Sequence, residues 1–249
     1  MPQYQQVLRI VLLGSLCLLL TGCFYWWRAY QTYLQMSEFD DNFAISQSDD
    51  FIVRFKHPLL FGDDIIALAK LRPSREINTP TGQKWQYIFR KVDADGHILQ
   101  PEIKFYCQLT LNHDDKVTEL AFSSLFLQIA PPEFLALSFR SLGSGKIDKL
   151  NRRLKVDTDS ISKINADLPL KSAVLAHLGE PLWVTDTATQ EIYTYHFKLE
   201  AYAVATGYED RTLSVVKLSF AKETQEMTRM AGRFAGLKIS INYKNYQAQ

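Results

Sequence analysis

Apolar and polar residues alternate with a period of two along several stretches in the first half of the chain. The alternation is clearest over 85–89, 105–111 and 117–122, and this pattern predicts β-strands with one buried face. The segment 51–55 consists mainly of β-branched and aromatic residues and predicts another short strand. The first half is therefore predicted to form an antiparallel sheet.

A short helix is predicted between the strand at 51–55 and the strand at 85–89. Ile65, Leu68 and Leu71 recur at three-residue steps, which places them on one side of a helix. Two aspartates occupy the predicted first turn, where the helix dipole favours negative charge. Pro73 is predicted to end the helix.

Beyond residue 130, the sequence predicts similar elements. One helix is predicted over 131–143, with prolines at its start and a glycine at its end, and another over 169–179. Strands are predicted over 193–197, 213–220 and 234–243. The apolar residues of 147–154 have helical spacing, which predicts a helical segment between the two halves.

Aromatic residues of the two halves coincide at a fixed offset. Pro181 follows Pro73 by 108 residues (181 − 73 = 108). At the same offset, three aromatic positions of one half fall on three of the other: Tyr193, Tyr195 and Phe197 on Trp85, Tyr87 and Phe89. The coincidence indicates a tandem duplication, although strand periodicity alone produces similar patterns in unrelated units.

The predicted fold is α+β, with two repeats that each consist of a helix and a three-stranded antiparallel sheet. A helical connector joins the repeats, because the segment between them is longer than a simple loop. The predicted segments are a signal peptide (1–22), a lipidated tether (23–50), a first repeat (51–127), the connector (128–166) and a second repeat (167–249).

The N-terminal segment has the features of a secretory signal. An apolar run follows a single early arginine and ends in Leu20-Thr21-Gly22-Cys23. This quartet resembles the bacterial lipobox, in which small residues enter the subsites of a signal peptidase and the cysteine thiolate acts as a nucleophile. The resemblance implies cleavage before Cys23 and acylation of its sulfur and its amine.

Phe24, Tyr25, Trp26 and Trp27 follow the cysteine directly. Amphipathic rings favour the headgroup layer of a bilayer, so these residues are predicted to contact the membrane. Phe24 is not the aspartate that resembles an inner-membrane retention mark in enterobacterial lipoproteins, and an outer-membrane location is therefore predicted. The alternative is an uncleaved anchor in the inner membrane, because residues 10–27 are 18 residues without a charge, the lower limit for spanning a bilayer.

Composition indicates an ordinary globular protein. Apolar residues make up 47% of the chain and charged residues 22%, which permits a hydrophobic core. The net charge of +1 gives no indication of nucleic-acid binding. Of the three cysteines, only Cys107 is predicted to remain as a free thiol, as a small buried hydrophobic residue.

The second predicted repeat resembles the SmpA/OmlA family of small outer-membrane-assembly lipoproteins, typified by BamE, and more broadly the fold of the β-lactamase inhibitor protein. The matching residues are Val174, Leu178, Gly179, Pro181, the strand Tyr193-Thr194-Tyr195 and Phe220. The first repeat keeps only Leu71 and Pro73 of this motif, and neither repeat has the Gly-Met that begins the family's helix. The resemblance implies the fold and an envelope setting.

The residues that could support catalysis or metal binding do not form a recognised motif. The five histidines lack metal-ligand spacing, and no Gly-x-Ser-x-Gly sequence marks a nucleophile. Asp93, Asp95 and Glu102 fit three positions of a calcium loop, but Lys91 stands where its first carboxylate is required. A hairpin turn explains these residues equally well, so neither a metal, a cofactor nor an enzymatic activity is predicted.

A basic run near the middle of the chain is the sharpest charge feature. Lys149, Arg152 and Arg153 belong to it, and it contains a single acid, Asp148. Such a run forms a solvated surface in most proteins, and it is also a candidate contact for an acidic partner or for anionic lipid.

The sequence therefore predicts a lipid-anchored periplasmic protein that binds another envelope protein, with a role in envelope or outer-membrane-protein assembly. The alternative is a structural tether of the envelope. The partner's identity is left open by the sequence.

Replacing Cys23 with Ser should leave a full-length precursor, because serine cannot form the thioether that precedes cleavage. Mass spectrometry of the unaltered protein should show a mature chain that begins at an acylated Cys23. A mature protein that still carries residues 1–22 would contradict the lipidation hypothesis.

Overall fold

The computed structural model describes residues 24–148, 153–155 and 163–248. Within these residues, eleven strands form one mainly antiparallel sheet and two further strands form a separate hairpin. Helices and aromatic side chains cover one face of the large sheet. Each strand of the sheet alternates side chains between this buried face and an outer face.

The first half contains five helices and six strands in the described residues. A helix over 24–35, α1, leads through a short 3₁₀ turn into the next helix. The remaining helices of this half are α2 (Phe39–Asn42), α3 (Gly62–Ala69), α4 (Ser124–Leu127) and α5 (Pro132–Ser141). The strands are β1 (Phe43–Gln47), β2 (Phe51–Phe55), β3 (Arg75–Thr79), β4 (Gly82–Val92), β5 (Lys104–Leu111) and β6 (Val117–Phe122).

The second half begins with the hairpin and continues into the large sheet. The hairpin consists of β7 (Lys146–Asp148) and β8 (Arg153–Lys155), and it is followed by α6 (Lys171–Leu178). The strands that follow are β9 (Trp183–Asp186), β10 (Gln190–Leu199), β11 (Leu213–Ala221), β12 (Met227–Phe234) and β13 (Leu237–Asn242).

The two halves are joined by a pairing between their longest strands. The order in the sheet is β1-β2-β6-β5-β4-β10-β11-β12-β13, with β3 on β4 and β9 on β10. The C-terminal part of β4 pairs antiparallel with the C-terminal part of β10, from Val92 opposite His196 to Phe89 opposite Leu199. This pairing joins two groups of strands, β1–β6 and β9–β13, into one sheet. We call β1–β6 the first group of strands.

The predicted fold of two separate helix-plus-three-strand repeats is wrong, because the strands of both halves belong to this single sheet. Open sheet edges carry unpaired backbone donors and acceptors, and pairing β4 with β10 satisfies them. The structure also contains strands that the prediction lacked, among them β1, β3 and β9. The mainly antiparallel sheet thus replaces the predicted pair of small α+β units.

The pairing on either side of the junction nevertheless follows a common pattern. Trp85 of β4 lies opposite Glu76 of β3, and Tyr193 of β10 lies opposite Val184 of β9. Both members of the second pair follow their counterparts by 108 residues (193 − 85 = 108). The offset seen in the sequence therefore describes how β3–β4 and β9–β10 are registered.

Each half supplies a cation to the C-terminus of one helix in the other half, α3 in the first half and α6 in the second. The Arg211 guanidinium donates to the carbonyl oxygens of Leu68 and Ala69 at the end of α3. The Lys91 ammonium donates to the carbonyls of Leu178 and Glu180 at and beyond the end of α6. Cations are favourable at helix C-termini, so these contacts add to the sheet junction.

Aromatic side chains from both halves pack together beneath the junction. The Phe105 ring lies 5.0 Å from Phe89, 5.5 Å from Phe126 and 4.9 Å from Phe197, measured between ring centroids. Phe234 of β12 contacts the same ring at 5.9 Å. One aromatic cluster therefore supports strands and a helix that are far apart in sequence.

The helix predicted over 147–154 is wrong in the part that the structure describes. Residues 146–148 and 153–155 form the β7–β8 hairpin, in which Ile147 lies opposite Leu154. A spacing of seven residues brings two positions together on a helix, but it also suits partners across a hairpin. The sequence pattern alone could not separate the two.

Cys107 lies on the buried face of β5, opposite Tyr87 of β4, and packs against the core. Burial raises the pKa of its thiol to about 12. Because the thiolate is the reactive form, the side chain is expected to behave as the apolar residue that the sequence predicted.

Replacing Phe105 with Ala should lower the free energy of unfolding by about 3–5 kcal/mol, because the change removes a buried ring from the shared cluster. Chemical denaturation should still show one transition, shifted as a whole. Ile77→Ala, at an exposed strand position, should cost less than about 1 kcal/mol. Two separable transitions, of which only one shifts, would show that the halves unfold independently.

Candidate membrane-contact site

The α1 helix, over 24–35, has an exposed face made of large apolar side chains. Phe24 is 57% exposed, Trp26 is 68% exposed and Trp27 is 59% exposed. Tyr30 and Leu34 continue this face along the helix and are also exposed. We call these five residues the aromatic row. Contiguous exposed apolar surface of this kind marks a site of contact with a membrane or a partner.

The opposite face of α1 packs on the body of the protein. Thr32 is buried, and its hydroxyl donates to the carbonyl of Arg28 one turn earlier. The Tyr33 hydroxyl donates to the carbonyl of Gly145 at 2.7 Å, and the Gln35 amide donates to the carbonyl of His57 at 3.0 Å. The helix is therefore attached to the loop that follows β2 and to the segment that follows α5.

The strongest of these contacts is an ion pair between α1 and α3. The Arg28 guanidinium donates two hydrogen bonds to the Asp64 carboxylate, from Nε at 2.7 Å and from Nη2 at 2.5 Å. The Asp64 side chain is completely buried, whereas that of Arg28 is 29% exposed. A bidentate guanidinium–carboxylate pair fixes the relative position of two elements more tightly than a single contact does.

Asp64 also belongs to the N-terminal cap of α3. Its carboxylate accepts a hydrogen bond from the backbone N–H of Phe61 at 2.9 Å, which satisfies a donor that the helix leaves unpaired. The side chain thus serves two elements at once. Because a buried carboxylate without a partner is strongly unfavourable, α1 and the start of α3 are stabilised together.

Aromatic rings surround the Arg28 guanidinium. Its central carbon lies 4.8 Å from the ring centroid of Phe61 and 5.7 Å from that of Tyr25. The hydrogen bonds to Asp64 raise the pKa of Arg28 above its ordinary value. The cation is therefore stabilised by its carboxylate partner and by the faces of two rings.

The end of α1 fits closely against the end of α5. A β-carbon at Gly143 would overlap the backbone carbonyl of Met36, the first residue after α1. Arg140 of α5 pairs with Asp40 at 2.9 Å and lies over the ring of Phe39. These contacts place α5 beside the segment that leads from α1 to β1.

The four predicted membrane-contact residues do not all lie on the same face. Phe24, Trp26 and Trp27 are exposed, whereas Tyr25 is half-buried and lies beside Arg28. Tyr30 and Leu34 extend the exposed face and were missed by the sequence interpretation. They follow Trp26 by four and eight residues, so helical periodicity across the tether would have identified them.

Several predicted site residues lie outside the described part of the chain. These are the lipobox residues Leu20, Thr21 and Gly22, the lipidation site Cys23, and the basic residues Lys149 and Arg152. Arg153, the third predicted partner contact, begins β8. The prediction that this basic run contacts a partner stays a prediction.

The turn considered as a calcium loop is a β-hairpin connection. One ligand atom from each of Asp93, Asp95 and His97 lies within 4.8 Å of the others. The Asp93 carboxylate accepts the backbone N–H groups of Asp95 and His97, and these bonds lower its pKa. Glu102, the twelfth residue of the proposed loop, pairs instead with Arg90. The carboxylates thus organise the turn and its neighbouring strand.

Replacing Arg28 with Ala should release α1, because Asp64 would otherwise be buried without a cation. We expect a loss of about 3 kcal/mol in the free energy of unfolding and faster cleavage by chymotrypsin within 24–35. Arg54→Ala is the control, since it removes an exposed pair with Glu119 that contributes less than about 1 kcal/mol. Equal protease resistance of the two variants would contradict the role of Arg28.

No family model, curated protein or solved structure matches the chain. The resemblance to the SmpA/OmlA family therefore stays a prediction. Among the residues that the structure describes, none of the helices is long and apolar enough to cross a membrane.

Proposed function

We propose that this protein is a lipoprotein of the bacterial outer membrane that faces the periplasm and binds another envelope protein. Acylated Cys23 anchors it, and α1 holds its body against the bilayer. The observation that carries the proposal is the aromatic row, which begins at the residue after the lipobox cysteine.

The aromatic row has the chemistry of a membrane–water interface. Phenylalanine, tryptophan and tyrosine rings each bury about 150–250 Å² when covered, and the indole and phenol groups keep a polar atom for the headgroup layer. Covering Trp26, Trp27 and Tyr30 by lipid would remove a large apolar surface from water. The row would therefore add a second attachment to that of the acyl chains.

Because α1 is attached to the body, contact of the aromatic row with the membrane would also fix the orientation of the body. A flexible tether would leave the body free to rotate about its anchor. The Arg28–Asp64 pair and the Tyr33 hydrogen bond instead connect α1 with α3 and with the end of α5. A body held in this way presents the same surfaces to the periplasm in every copy, which suits a protein that acts by binding.

Lipid contact can be measured by tryptophan fluorescence, since the chain has four tryptophans, at 26, 27, 85 and 183. In the acylated protein, Trp183→Phe leaves Trp26 and Trp27 as the exposed fluorophores, because Trp85 is buried. We expect lipids brominated on their acyl chains to quench this variant, because both indoles would lie at the bilayer interface.

The matched control is Trp26→Phe with Trp27→Phe, which leaves Trp183 as the exposed fluorophore. Brominated lipid should have little effect on its emission. Equal quenching of the two variants, or quenching of the control alone, would contradict the proposed orientation.

A further inference from the structure

Five cations share the outer face of the last four strands of the large sheet. Four of them are exposed and Arg233 is half-buried. They are Lys198 of β10, Lys217 of β11, Arg229 and Arg233 of β12 and Lys238 of β13. We call this surface the basic sheet face.

The strand register brings these cations close together. Lys217 lies opposite Thr194 and Ala231, and Arg233 lies directly opposite Lys238. Directly opposed side chains on one face of an antiparallel pair have β-carbons about 4.5–5.5 Å apart. Like charges in this arrangement are unfavourable for folding, and an ion pair with Asp210 offsets the repulsion at Arg233.

Few acids balance these charges. Asp210 pairs with Arg233 at 2.8 Å, and the Arg229 guanidinium donates to the Ser240 hydroxyl. Within the described ranges, Lys198, Lys217 and Lys238 form no ion pair. The outward-facing positions of β10, β11 and β13 carry no acidic residue.

The same face of the first group of strands is different. Arg54 pairs with Glu119 at 2.8 Å, and Arg90 pairs with both Glu102 and Glu200. These pairs neutralise part of the charge on this part of the sheet, whereas Arg75 and Lys84 are exposed on the same face and form no ion pair with the described residues. On β10–β13, by contrast, only one of the five cations pairs with an acid in the described part of the chain, Arg233 with Asp210. The excess of positive charge is therefore greatest on these strands, although the net charge of the whole chain is only +1.

We propose that the basic sheet face binds an acidic surface of a protein partner. The inference rests on the proposed function and names the chemistry of the partner. Charge complementarity carries it, because four exposed cations without carboxylate partners form a surface that an acidic protein surface would neutralise. Val215 and Ala231 lie between the cations, and the exposed side chains of Leu213, opposite Lys198, and Trp183, opposite Thr194, lie on the same face.

An anionic lipid surface fits this face less well. The contacts of α1 lie in the first half of the chain, and β10 is five strand positions from β1 in the sheet order. Five steps of about 4.8 Å correspond to roughly 24 Å along the sheet. Attraction to lipid charge falls off within a Debye length of about 8–10 Å, which is shorter than this separation along the sheet.

Binding of a fluorescent polyglutamate peptide of about 20 residues, followed by anisotropy, tests the proposal. The acylated full chain is used in phosphatidylcholine nanodiscs at low salt. Lys217→Glu with Arg229→Glu should weaken binding about tenfold or more, because two attractive charges become repulsive. Arg54→Glu with Lys104→Glu makes the same change in net charge at exposed positions on the first group of strands, and should change affinity less than about twofold.

Equal weakening by the two double variants would overturn the proposal, because binding would then follow net charge alone. It would also be overturned if the unaltered protein did not bind the peptide. A third contrary result would be that the unaltered protein binds phosphatidylglycerol vesicles and that Lys217→Glu with Arg229→Glu abolishes this binding but leaves peptide binding unchanged. Each of these results leaves the quenching of Trp26 and Trp27 unaffected, so the membrane proposal is tested separately.

Discussion

A carboxylate inside the protein is the constraint on which the position of α1 depends. Asp64 is completely buried, and a buried charge is tolerated only with a partner of opposite charge and with hydrogen bonds. The Phe61 backbone N–H and the Arg28 guanidinium provide them. The same carboxylate therefore begins α3 and fixes α1, so the direction of the aromatic row is coupled to the packing of the body.

The β4–β10 pairing extends this constraint to the rest of the molecule. Its four residue pairs connect the first group of strands with the strands of the basic sheet face. Phe105 and the rings around it reinforce the junction from the buried side. In the proposed function, a membrane contact at one end of the sheet and a partner contact at the other belong to one body.

The sequence predicted elements whose pattern is local and failed where distant segments meet. The strands Phe51–Phe55 and Val117–Phe122 have the predicted bounds because their residue types identify them without their neighbours. Strands β3 and β9 were missed because most of their side chains are exposed, which removes the alternation. The β4–β10 pairing depends on which edges remain free, and Arg28 lies 36 residues from Asp64. Neither relation leaves a periodic signal.

Electron paramagnetic resonance of the acylated protein in nanodiscs tests the central claim, that Arg28 and Asp64 hold the aromatic row against the bilayer. A nitroxide at position 34, on the exposed face of α1, should collide more often with oxygen than with a water-soluble nickel chelate, because oxygen concentrates in lipid. Arg28→Ala should reduce this preference. The account would be contradicted by a nitroxide that meets mainly the nickel chelate in the unaltered protein, or by an oxygen preference that Arg28→Ala does not change.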